Sequence, residues 1–276
     1  MIHCWIDLKE TYGLMGGKLE CICTDYPWDA PNVPWRRPAV IIVPGGGYAM
    51  TSRREAEPIA NAFLARGYQT FILWYLCAPQ GAAYPEQLLE LGCAVDYVKK
   101  HANEYSVNEK EVFAVGFSAG GHLTANLAVE SGVVFQTLQR EIDAKPTAVG
   151  LSYPVITAKE KYQGTHKNLL HSYPQAEQEE LLEKLNLDEA VSPQTAPCFI
   201  WTTAEDALVP AENSMRFALA LSKNRVAYEL HIYPFGAHGG ATGDFEINPY
   251  NELTARNRRW IDDCNAFFRY FVEEKF

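Results

Sequence analysis

Residues 111 to 130, "EVFAVGFSAGGHLTANLAVE", run from an apolar stretch through a glycine-flanked serine straight into a helical pattern, with no loop between. A chain that passes from strand to helix this abruptly must turn sharply. Glycines two before and two after Ser118 relieve the crowding that such a turn creates. The turn leaves the serine hydroxyl exposed at the N-terminus of the helix, where backbone N–H groups and the helix dipole favour negative charge.

The same succession of strand and helix recurs along the chain. "CWIDL" and "LECICTDY" read as opening antiparallel strands, and "AVIIVPGGG" as a buried strand ending in glycines. A helix follows in "EPIANAFLARG", closed by Gly67, then a strand in "YQTFILWYL" and a long amphipathic helix in "YPEQLLELGCAVDYVKKHANEY". Beyond Ser118, strands are predicted in "AVGLSYPVI", "PCFIWTTAED" and "YELHIYPFG", with a closing helix in "ARNRRWIDDCNAFFRYFVEE". Alternation of this kind predicts an α/β fold, a mostly parallel central sheet of about eight strands flanked by helices, as a single domain over residues 1–276. Residues 158–196 break the alternation; they read as a small cap inserted over the sheet edge where such folds place their ligands.

Bulk properties exclude several classes of function. A net charge of -10 argues against nucleic acid or an anionic membrane as partner, since both attract basic surfaces. The seven cysteines are odd in number and irregularly spaced, and their one C-x-C, Cys21 and Cys23, lacks the repetition of a metal site, so free thiols and no metal are expected. "MIHCWIDLKE" carries acids early and lacks an apolar segment of signal length, and the expectation is a cytoplasmic protein.

A serine hydroxyl is a poor nucleophile, so a base and a group orienting that base should stand on later strand ends, in the order serine, acid, histidine. "FIWTTAEDALVP" supplies Asp206, with Glu205 as the adjacent alternative, and the turn residues and Val209-Pro210 favour Asp206. "LHIYPFGAHGG" supplies His238 between glycines. His122 is expected to pack within the helix that follows Ser118, His231 within a strand, and His166 and His171 within the insertion. Backbone donors for an oxyanion are expected from Gly46 and Gly47 in "PGGGY" together with Ala119. The competing reading of those glycines as a phosphate loop fails, because neither the lysine-containing nor the dinucleotide fingerprint is present.

With these motifs in place, roughly residues 38 to 275 resemble the α/β-hydrolase fold, and more narrowly esterases of the acetyl xylan esterase and hormone-sensitive-lipase-type carboxylesterase branch. The resemblance implies ester hydrolysis through an acyl-Ser118 intermediate, without a cofactor, on a small-molecule ester such as an acetylated oligosaccharide. Tyr48, Trp74 and Tyr153 lie at or just past predicted strand ends and are expected to form an aromatic wall for sugar rings. Assembly with further copies of the chain is left open. Two departures stand out: Pro44 replaces the first histidine of the H-G-G-G pattern, and Leu76 replaces the arginine of Y-R-x-A-P. A general short-chain carboxylesterase and an arylformamidase-like amide hydrolase would share the same machinery. A binding module on this fold would lack a member of the triad.

Overall fold

A computed structural model of the chain describes residues 1–25, 35–158, 163–245, 247–249 and 251–272. Eight strands form one sheet: β1 (Ile2–Asp7), β2 (Lys18–Cys23), β3 (Arg37–Val43), β4 (Gln69–Trp74), β5 (Val107–Phe117), β6 (Val149–Ser152), β7 (Cys198–Thr203) and β8 (Tyr228–Tyr233). Their order across the sheet is β1-β2-β4-β3-β5-β6-β7-β8. Only the pairings of β2, with β1 and with β4, are antiparallel; every other pair is parallel.

Ten α-helices accompany the strands among the described residues. They are α1 (Leu8–Tyr12), α2 (Glu57–Leu64), α3 (Glu86–Lys100), α4 (Ala119–Glu130), α5 (Gly132–Leu138), α6 (Gln163–Leu169), α7 (Gln175–Lys184), α8 (Leu187–Ala190), α9 (Glu212–Lys223) and α10 (Trp260–Arg269). The buried apolar runs 38–43 of β3 and 112–117 of β5 arise because both faces of the sheet are covered there. Ala39, Ile41 and Val43 of β3 pack on one side with α3, α4 and α9, through residues such as Leu91, Leu127 and Phe217. Val40 and Ile42 pack on the other side with α2 and α10, through Phe63, Trp260 and Phe268.

Several boundaries differ from the sequence expectation. The strand read in "AVGLSYPVI" stops at Ser152, because Tyr153 takes a φ of 38° and the Val155 N–H donates to the Ser118 carbonyl instead of to a ladder. β5 begins at Val107, four residues before the predicted start. The long central helix ends at Lys100, and the closing helix begins with a 3-10 turn over Ala255–Arg259; its expected last residues lie outside the described part. The short α1 is absent from the sequence expectation, although its start is written in the sequence: the Asp7 carboxylate accepts from the Lys9 and Glu10 N–H groups. The stretch 158–196 holds α6, α7 and α8, with 159–162 outside the described residues.

Candidate active site

Ser118 sits between β5 and α4 at φ 53° and ψ -115°, a conformation that L-residues rarely adopt. Its N–H donates to the Ser152 carbonyl at 3.0 Å, and its own carbonyl accepts from His122 at 3.0 Å and Val155 at 3.2 Å. The flanking glycines are required by close approach. A Cβ on Gly116 would stand 2.3 Å from the Gly120 carbonyl oxygen, and one on Gly120 would stand 2.2 Å from that of Val43. The first turn of α4 therefore presses against the end of β3, which brings the serine beside the glycine loop that follows that strand.

The predicted acid and base arrive from the ends of β7 and β8. His238 Nε2 lies 2.8 Å from Ser118 Oγ, and His238 Nδ1 lies 2.7 Å from Asp206 Oδ2. A carboxylate only accepts, so Nδ1 carries the proton and Nε2 is left to accept from the serine hydroxyl. The other oxygen of Asp206 accepts from the N–H groups of Leu208 at 3.0 Å and Val209 at 2.8 Å, which fixes the carboxylate. The Asp206 side chain is 1% exposed and that of His238 14%, so the relay runs from the interior outward to the serine. Glu205, the alternative acid, instead accepts from the Gly236 N–H at 3.2 Å.

Gly46 and Gly47 line the same cavity as Ser118 and His238, a space of about 510 Å³. Gly46 has a φ of 128°, and a Cβ there would fall 2.1 Å from the Met50 carbonyl oxygen. Ala119 opens α4 beneath Ser118, so its N–H is one of the four that a helix leaves without an internal partner. The bracing that Pro44 cannot supply comes from elsewhere. Tyr75 donates its hydroxyl to the Pro44 carbonyl at 2.7 Å, the Gly45 N–H donates to Glu55 Oε2 at 2.9 Å, and Asn168 of α6 donates to the Gly47 carbonyl at 2.8 Å.

The expected aromatic wall is corrected by the geometry, since none of its three rings lines the cavity. Tyr48 is 1% exposed, with its hydroxyl 2.9 Å from His122 Nδ1. Burial and the neighbouring His166 hold the His122 imidazole well below its usual value, and it packs inside the fold as expected. Tyr153 is 2% exposed behind His238. Trp74 donates to Glu20 at 2.9 Å and stacks with Trp5 on the opening strands. The cavity is walled instead by Met50, Val155, Leu208 and Val209 and by the polar Ser52, Arg54, Glu55 and Asn168. Arg54 and Glu55 carry no local signal in "SRREAEP", where Glu55 stands just before α2 and Glu57 opens it, and only packing shows that Glu55 is the buried one.

Sheet order, the serine turn and the hydrogen-bonded serine, histidine and aspartate on successive strand ends define an α/β-hydrolase. The chain belongs to the BD-FAE family, whose model matches residues 30–221, a span that includes Ser118 and Asp206 and stops short of His238. It is 34% identical to an endo-1,4-beta-xylanase B of Butyrivibrio fibrisolvens over 74% of this chain and 32% of that protein. It is 29% identical to an acetylxylan esterase of Xylanibacter ruminicola over 91% of this chain and 49% of the other. The chain thus spans about a third of the length of the first of these curated relatives and about half of the second. The α/β-hydrolase enzyme MGS-M1, from a Medee basin deep-sea metagenome library, superimposes with a TM-score of 0.79 at 30% identity, covering 99% of both chains. Among the described residues, no helix is long and apolar enough to cross a membrane.

Proposed function

We propose that the protein is a serine ester hydrolase that removes short acyl groups, acetyl above all, from acetylated carbohydrate such as xylo-oligosaccharide. The observation that carries the hydrolase reading is the unbroken relay from Asp206 through His238 to Ser118 on the wall of an open cavity. Ser118 attacks the ester carbonyl while His238 Nε2 takes its proton, and Asp206 stabilises the imidazolium that forms. Negative charge on the tetrahedral oxygen meets the N–H groups of Gly46, Gly47 and Ala119. Collapse releases the alcohol with the proton from His238, and a water molecule, deprotonated by the same imidazole, then frees the acid from Ser118.

The carbohydrate part of the reading is supported by the xylanase and acetylxylan esterase among the relatives. A reducing, cytoplasmic setting belongs to the same proposal, supported by seven cysteines that are all unpaired. The test is release of acetate from acetylated xylo-oligosaccharides, run beside p-nitrophenyl acetate, p-nitrophenyl butyrate and N-formylkynurenine. Activity kept by Ser118→Ala would refute the mechanism. Turnover confined to long acyl esters, or to the formyl amide, would refute the substrate.

A further inference from the structure

In the wall of the Ser118 cavity lies a carboxylate that ester hydrolysis leaves without a task. Glu55 is 5% exposed, and its oxygens are divided between two loops. Oε2 accepts from the Gly45 N–H at 2.9 Å, and Oε1 accepts from the Tyr153 hydroxyl at 2.7 Å. The Tyr153 oxygen in turn accepts from the Ala241 N–H at 2.9 Å, and its ring meets the His238 imidazole edge-on, with centroids 4.9 Å apart. Gly45 opens the loop that presents Gly46 and Gly47, while Ala241 follows His238 by three residues.

These two loops leave β3 and β8, which three other strands separate in the sheet, so no backbone ladder sets their spacing. We propose that Glu55 and Tyr153 form a positioning unit that holds the Gly46-Gly47 loop and the His238 loop in register about Ser118, and that losing either bond slows acyl transfer without weakening substrate binding. Arg54, next in sequence, repeats the link at the surface by donating to the Gly239 carbonyl at 3.2 Å. Burial raises the Glu55 carboxyl, while the Tyr153 hydroxyl, the Gly45 N–H and the nearby His238 oppose that rise. The two donors meet different oxygens of Glu55, so Glu55→Gln puts an NH2 where one of those oxygens stood and leaves either the Gly45 N–H or the Tyr153 hydroxyl proton without its acceptor, and Tyr153→Phe strips the wholly buried Ala241 N–H of its acceptor.

The inference rests on the hydrolase reading above, and its test separates the two. Glu55→Gln, Tyr153→Phe and the double variant are compared with wild type and Ser118→Ala on p-nitrophenyl acetate, with circular dichroism to verify folding. Misplacing the loops by an ångström predicts kcat lowered about 10- to 100-fold with KM held within about twofold. Two links of one chain predict a double variant no slower than the slower single one. Unchanged kcat in either single variant, or losses that multiply in the double, would overturn the positioning unit while leaving Ser118 catalysis intact. Hydrogen exchange reads the same unit without turnover: each single variant should speed exchange at both 45–50 and 239–242. Acceleration confined to the loop nearest the substitution would overturn the unit even if wild type and Ser118→Ala proved equally inactive, an outcome that refutes the hydrolase reading.

Discussion

Ser118 pays for its exposure with backbone strain, and that strain can be measured. At φ 53° and ψ -115° any side chain is disfavoured, whereas glycine is tolerated there. Ser118→Gly is therefore expected to be more stable than Ser118→Ala by about 1 kcal/mol in urea denaturation, with both variants inactive. Asp206 acts at the same scale, through the imidazole tautomer. Asp206→Asn keeps the shape but offers an N–H where His238 Nδ1 needs an acceptor, and kcat should fall about 10³- to 10⁴-fold with little change in thermal unfolding. The identities of these residues were legible in the sequence because each sits in a short motif at a strand end. The positions of Tyr48 and Tyr153 were not, because a strand end gives no direction to a side chain whose backbone has turned to positive φ.

At the scale of elements, the site depends on how closely α4 approaches the end of β3. The carbonyls of Val43 and Pro44 would stand 2.2 and 2.4 Å from a Cβ on Gly120, so Gly120→Ala must push the helix away. A loss of about 1–3 kcal/mol is expected in denaturant unfolding, with activity lost as Ser118 shifts from the Gly46-Gly47 loop. The insertion enters the site through α6, where Asn168 holds the Gly47 carbonyl. Asn168→Ala should lower kcat several-fold in a steady-state assay and leave the melting temperature within a few degrees. Sequence alone marked residues 158–196 as a departure from the alternation. It gave no sign that one asparagine from that stretch reaches a glycine 121 residues earlier.

The whole molecule carries its own pH signature away from the active site. Glu90 of α3 is wholly buried; its Oε2 accepts from the Leu76 N–H at 2.9 Å, and its Oε1 has no hydrogen-bond partner among the described residues. Burial pushes its carboxyl from an ordinary 4.5 to about 8. Across that window the folded chain holds a proton that the unfolded chain has lost, so the contribution of Glu90 to stability falls as pH rises. Melting temperatures recorded between pH 5 and 8 should show a steeper downward component in wild type than in Glu90→Gln, and parallel profiles would refute the assignment.

The sequence by itself determined the α/β class, the eight strands and the three residues of the relay. Hydrophobic period and glycine placement act locally, so a reader of the chain has them at once. Tertiary structure alone decided which side chains face the cavity, which of two neighbouring acids is buried, and how the Gly46-Gly47 loop is braced with Pro44 at its start. Those outcomes follow from contacts between segments up to about two hundred residues apart, such as the reach of Arg54 to Asn248. No local pattern encodes such contacts, because they exist only once the sheet has set its strands side by side.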